Sequence, residues 1–177
     1  KAPLSNTILN PTTTTQPGGS TLLSGHDINL SASKDLTNTG TIGARDSSVL
    51  TAHTLVNEEG GRIQGNQVEL TAREDLTNRA GTIKGESVVL RAGRDVVLAS
   101  TSEYDHQDDG QFSYWSRAIS GVSRVQAGRL DIDAERDIAL TAAHVTAHDD
   151  ARLKAGRDIA LDSLLEGQGR SAVYGAH

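Results

Sequence analysis

The chain is predicted to be all-β, a right-handed parallel β-helix built from coils of about 20 residues with one irregular insertion. Three observations predict it. Four segments end in leucines spaced by 20, at Leu30, Leu50, Leu70 and Leu90 (INL, SVL, VEL, VVL). A second signature, alanine then a charged residue, aspartate and an aliphatic, recurs at Ala32–Leu36, Ala72–Leu76, Ala92–Val96, Ala134–Ile138 and Ala155–Ile159. A third, LTNTGTI at 36–42, LVNEEGGRI at 55–63 and LTNRAGTI at 76–83, follows in phase and varies in length only at its glycines.

Within each unit apolar and polar residues alternate, as in Val68-Glu69-Leu70 and Ile138-Ala139-Leu140. That is the period of a strand with one buried face, and helical spacing is sustained nowhere. A unit of this length is too short for a propeller blade and lacks the helical half of a leucine-rich repeat. One coil buries too few aliphatics to offset the ordering of its own backbone, so coils must stack, with equivalent residues about 4.8 Å apart.

Taken in order, residues 1–20 hold all three prolines and a run of four threonines and read as a lead-in strand or linker. Regular coils occupy 21–100. The repeat is lost over 101–126, an insertion that carries Tyr104, Phe112, Tyr114 and Trp115, four of the five aromatics of the chain. Coils resume over 127–163, and 164–177, with few apolar side chains, read as a C-terminal tail or incomplete coil expected to fray or to cap poorly. A chain that begins at Lys1 and lacks methionine is expected to be a segment of something longer.

Composition narrows the function. Acidic residues (23) outnumber Lys and Arg (17) for a net charge of −6, which argues against nucleic acid as a partner. Without cysteine there is no disulfide framework, thiolate zinc site or cysteine nucleophile. Asp35, Asp75, Asp95, Asp137 and Asp158 recur in every coil that bears the motif and so answer a demand of the coil, read as a turn in which the carboxylate bonds nearby backbone N–H groups. Catalytic residues would break the repeat. Asn38, Asn57 and Asn78 are read as an internal ladder. The acidic loop Asp105, Asp108 and Asp109 departs from a calcium-loop pattern, with Gln107 and Ser116 at the third and twelfth positions. His144 and His148 share a strand face but lack a third ligand. No GxSxG elbow occurs. The reading therefore assigns no catalytic residue, no metal and no small-molecule cofactor.

The AGRD units at Ala92–Val96 and Ala155–Ile159, in phase with Leu36-Thr37-Asn38 and Leu76-Thr77-Asn78, resemble the haemagglutinin repeats of filamentous haemagglutinin and contact-dependent growth inhibition proteins. The resemblance covers about 120 of the 177 residues. It implies a long β-helical filament, secreted through a cognate outer-membrane transporter and displayed at the bacterial surface. Such a filament contacts a target-cell surface or outer-membrane component, either as an adhesin or to deliver a C-terminal toxin to neighbouring bacteria. A shaft segment of this kind is expected to have no enzyme activity of its own. The alternative from another class is a β-helical carbohydrate-active enzyme, a polysaccharide lyase or glycosidase, which would need unlike catalytic residues clustered on adjacent coils.

The insertion is where function would enter. Its aromatics beside arginine fit a binding surface formed by Tyr104, Phe112, Tyr114, Trp115 and Arg117. They also fit an arm folded back to cover the helix wall, since the rings fall partly on alternate positions.

Overall fold

The computed structural model describes residues 12–15 and 21–172. Among these every regular element is a strand. The solenoid alternates a long and a short strand: β2 (Thr21–Ser31) and β3 (Asp35–Asn38), β4 (Thr41–Ala52) and β5 (Thr54–Glu58), β6 (Arg62–Gln64) with β7 (Gln67–Ala72) and β8 (Leu76–Arg79), then β9 (Thr82–Ala92) and β10 (Val96–Ala99). After a hairpin it continues through β13 (Arg124–Ala134), β14 (Asp137–Thr141), β15 (His144–Ala155) and β16 (Asp158–Asp162). The short strands form a six-stranded parallel sheet with one strand per coil, and the long ones form the facing sheet. A short strand β1 (Thr12–Thr15) pairs antiparallel with β2 at its outer edge. The prolines of the lead-in segment lie outside the described residues.

Register follows the sequence period. Leu30, Leu50, Leu70 and Leu90 stack on one another and then on Ile132 and Leu153. On the facing sheet Leu36, Leu55, Leu76, Val96, Ile138 and Ile159 stack in the same way. The two columns meet inside the rod, where all of them between the first and last coils are fully buried. Both columns are filled by Leu, Ile and Val, and the buried apolar core as a whole by these and Ala.

The asparagines form the expected ladder. Asn38 Nδ2 donates to Asn57 Oδ1 and Asn57 Nδ2 to Asn78 Oδ1, both at 2.8 Å, and each amide also donates to the carbonyl of the glycine that follows it in the turn. In the second and third of these turns the ladder accounts for that glycine. A Cβ on Gly81 would lie 2.5 Å from Asn57 Nδ2 and 2.6 Å from Asn78 Oδ1, so the amides occupy the space a side chain would need. Asparagine and glycine are thus one device, which closes the turn and binds it to the next.

Three of the five aspartates, Asp75, Asp95 and Asp137, answer to the next coil and not to their own turn. Asp75 accepts both Nε and Nη2 of Arg94, at 3.0 and 2.6 Å, and the backbone N–H of Asp95. Asp95 does the same for Arg136 (2.9 and 2.5 Å) and the N–H of Asp137, and Asp137 for Arg157 and the N–H of Asp158. From Asp75 to Arg157 the recurring Arg-Asp pair is therefore a clasp, in which the arginine of one coil grips the aspartate of the coil below it. The Arg136 and Arg157 forks hold the Asp95 and Asp137 carboxyls below the usual range, and the arginine pKa values are raised in return by those hydrogen bonds. The glycine of AGRD lets the turns touch, since a Cβ on Gly93 would lie 2.0 Å from the Arg73 carbonyl oxygen.

Candidate functional site

The chain leaves the solenoid at Ser100 and returns at Ser123. Between them β11 (Thr101–Asp108) and β12 (Phe112–Gly121) form an antiparallel hairpin, and β17 (Gly167–Ala172) pairs antiparallel with the other edge of β12. The resulting three-stranded sheet is separate from both solenoid sheets. Residues 167–172, expected within a fraying tail, are one of its strands; the solenoid resumes at Arg124, three residues before the expected Ala127, because Val125 stacks on Ile83.

Two serines anchor the hairpin. Ser123 Oγ accepts the last rung of the asparagine ladder, Asn78 Nδ2, at 2.8 Å and donates to the Asn78 carbonyl. Ser123 N–H donates to Ser100 Oγ, and Ser100 Oγ donates to the Ala142 carbonyl at 2.7 Å. At the position where the earlier coils carry Asn38, Asn57 and Asn78, the next one carries Leu98, because the hairpin has replaced the tight turn that asparagine closed.

At the tip, Asp108 accepts the N–H of Gly110, which adopts φ +85°, and Asp109 accepts those of Gln111 and Phe112. Hydrogen bonds from Phe112 and Gln111 N–H hold the Asp109 carboxyl below its ordinary range. Asp108 and Asp109 thus shape the turn. Among the described residues one trio has the spacing of metal ligands, His26, Asp27 and Asp46, all exposed. Asp27 spends one oxygen on His26 Nδ1 and the other on Ser47 N–H and Oγ; these contacts, His26 first, lower its pKa.

The pleat divides the five candidate residues. Cross-strand partners share a face, so Tyr104 with Arg117 and Gly167, and His106 with Trp115 and Gly169, belong to one side. Phe112 and Tyr114 belong to the other, where Tyr114 stands opposite Gln107 and Arg170. On the first side the Tyr104 ring stacks on His106 (centroids 6.4 Å apart), and the Arg117 guanidinium lies 5.5 Å from the Tyr104 centroid. Trp115 lies across the two glycines: a Cβ on Gly169 would fall 2.1 Å from its Nε1, and one on Gly167 3.3 Å from Cη2. A slot of about 440 Å³ opens between Tyr104, Trp115, Arg117, Leu165, Glu166 and Gly167. On the opposite side Phe112, Tyr114 and Arg170 border a cavity of about 560 Å³.

All four aromatics remain exposed, Tyr104 at 58% and Phe112 at 51%. The rings are therefore not sealed against the solenoid wall. Leu165, Glu166, Gly167, Gly169 and Arg170 complete these surfaces from a segment 50 residues away, which sequence reading missed. The one signal was the alternating glycines of Gly167-Gln168-Gly169, the pattern of a strand that makes room for a neighbour's rings.

Residues 3–102 match the family described as Haemagglutinin repeat, and residues 116–170 match a second described as Hemagglutinin repeat. The chain is 33% identical over 166 residues to a tRNA nuclease CdiA of Escherichia coli (strain STEC_O31), covering 88% of this chain and 5% of that protein. It is 26% identical over 152 residues to a tRNA nuclease CdiA of Yersinia mollaretii, covering 78% of this chain and again 5% of that protein. The chain thus spans about one-twentieth of the length of these relatives. No solved structure matches it.

Proposed function

Since the chain belongs to the haemagglutinin-repeat family, we propose that it is a length of shaft in a large secreted bacterial surface protein that acts by contact with other cells. The whole protein is either an adhesin or, as its similarity to two tRNA nucleases named CdiA favours, a carrier of a toxin to neighbouring bacteria. It reaches the surface through a cognate outer-membrane transporter, and its target is a surface or outer-membrane component of the cell it touches. This segment is structural and has no catalytic role; any nuclease activity belongs to another part of such a protein.

The observation that carries this reading is that the coils stack across the hairpin without interruption. Arg124 to Ala134 of β13 pair residue for residue with Thr82 to Ala92 of β9, apart from Gly128, although the hairpin separates the two strands in sequence. A shaft that tolerates an arm of this size without loss of register can display it. The glycan-cleaving alternative is disfavoured by the use of the recurring carboxylates, for Asp75, Asp95 and Asp137 are each clasped by an arginine.

The contact surface of the shaft is the hairpin, through Tyr104, Phe112, Tyr114, Trp115 and Arg117. The test is to place Tyr114→Ala with Trp115→Ala in the parent exoprotein and count target cells bound or inhibited. Attachment or delivery is expected to fall while β-sheet circular dichroism of the segment persists. Loss of the sheet signal, or unchanged attachment, would overturn the assignment.

A further inference from the structure

We propose that the slot between Trp115, Arg117 and Glu166 is a binding site for a neutral pyranose ring of a cell-surface glycan. This names the ligand class of the hairpin and rests on reading that hairpin as the contact element.

Three groups converge on the slot with their binding capacity unspent. Trp115 is seated on Gly167 and Gly169, so one indole face is supported by strand backbone while the ring remains 39% exposed. A flat ring fixed from beneath offers its open face at little entropic cost. Arg117 is held over the Tyr104 ring, and among the described residues no carboxylate or carbonyl takes its N–H donors. Glu166 spends Oε1 on the Ile119 N–H at 3.1 Å, which orients the carboxylate and leaves Oε2 open.

The combination selects a class of ligand. A full anion would meet Arg117 but also Glu166, and a full cation would meet the reverse, so either charge is penalised by one wall of the slot. A polyol is satisfied by both, because each hydroxyl donates and accepts: adjacent hydroxyls can receive from the guanidinium and give to the carboxylate. The C–H face of a pyranose is apolar and flat and matches the indole, with Leu165 adding an apolar rim. The volume of about 440 Å³ lies within the range of small-ligand pockets, roughly 300–1,000 Å³.

The chain contains a single tryptophan, and it is the one in the slot, so its emission reports on this site alone. The experiment is a fluorescence titration of the chain with methyl glycosides of glucose, galactose, mannose and N-acetylglucosamine, with methyl phosphate and lysine amide as charged controls. At least one glycoside is expected to shift the emission saturably, with half-saturation in the millimolar range. Arg117→Met and Glu166→Gln should each weaken it roughly tenfold, the loss of one charged hydrogen-bond partner. Lys154→Met, on the solenoid strand β15 and away from the hairpin, should leave it within about twofold. The inference is overturned if no glycoside gives a saturable shift, if both slot variants bind as the parent does, or if a charged control binds more tightly than every glycoside. Absence of glycoside binding together with reduced attachment by the Tyr114→Ala, Trp115→Ala pair would remove the sugar site and leave the contact reading standing. Sugar binding with unchanged attachment would do the reverse.

Discussion

Replacing Asn57, the middle rung of the amide ladder, should cost the rod more than its size suggests. Asn57 is fully buried; it receives Asn38 and gives to Asn78 Oδ1 and the Gly61 carbonyl. In Asn57→Ala, Asn38 Nδ2 keeps the Gly40 and Arg62 carbonyls, and the Gly61 carbonyl keeps the Thr82 N–H. Asn78 Oδ1 alone is left buried without a donor. An orphaned acceptor costs about 1–3 kcal/mol and each of the other two lost bonds about 1 kcal/mol net, so the expected loss is about 3–5 kcal/mol. Asn57→Asp separates hydrogen bonding from shape, because a carboxylate keeps the outline of the amide but cannot donate. Burial against two acceptors raises the pKa of the new carboxyl. A carboxyl with a raised folded-state pKa stabilises when protonated, and that gain is lost as pH rises through the folded value. Asn57→Asp should therefore be worse than Asn57→Ala at pH 7 and recover toward about pH 5 when each is compared with the parent at the same pH. Urea denaturation followed by far-ultraviolet circular dichroism measures both. An Asn57→Ala loss under about 1 kcal/mol, or an Asn57→Asp deficit that does not change with pH, would refute the account of the ladder.

Two further outcomes follow from the clasp. Arg136→Met should lower the urea midpoint at neutral pH, and the gap to the parent should close in acid: the Asp95 carboxyl is held below its ordinary value, so its contribution is full above about pH 4 and disappears as pH falls through the folded value. A gap that widened in acid would contradict the pairing. Gly93→Ala should destabilise by about 1–3 kcal/mol, because its Cβ would meet the Arg73 carbonyl at 2.0 Å and backbone must shift; a neutral effect on the thermal midpoint would show that the turns are not in contact.

The coil was legible because its determinants are periodic. Leu50 and Leu70 are 20 residues apart in sequence and adjacent in space, so counting along the chain is equivalent to measuring along the rod. The Asn-Gly turns could be read for the same reason. The partner of the repeated aspartate could not, since the motif showed that each coil needs a carboxylate but not that the arginine of the next coil takes it. Arg94 lies beside Asp95 in sequence and yet binds Asp75. A clasp and a local turn leave the same repeated pair in the sequence, and only the register separates them.

The hairpin was legible as a break and as a candidate surface, but its third strand was not, and the physics of the solenoid explains both. A coil interacts only with its neighbours, so an insertion between β10 and β13 costs the rod nothing if its two ends return to the same place. Ser100 and Ser123 bring them there with a single hydrogen bond. Once released from the stacking period, the arm carries no repeat by which its partners could be counted, and its third strand comes from beyond two further coils. Residues 167–172 lack apolar alternation because they do not cover a core. Their glycines support Trp115 and stand beside Arg117. The shaft is encoded by similarity between coils and the hairpin by departure from it, so substitutions in β11, β12 and β17 can change that surface without disturbing the stacking that carries them.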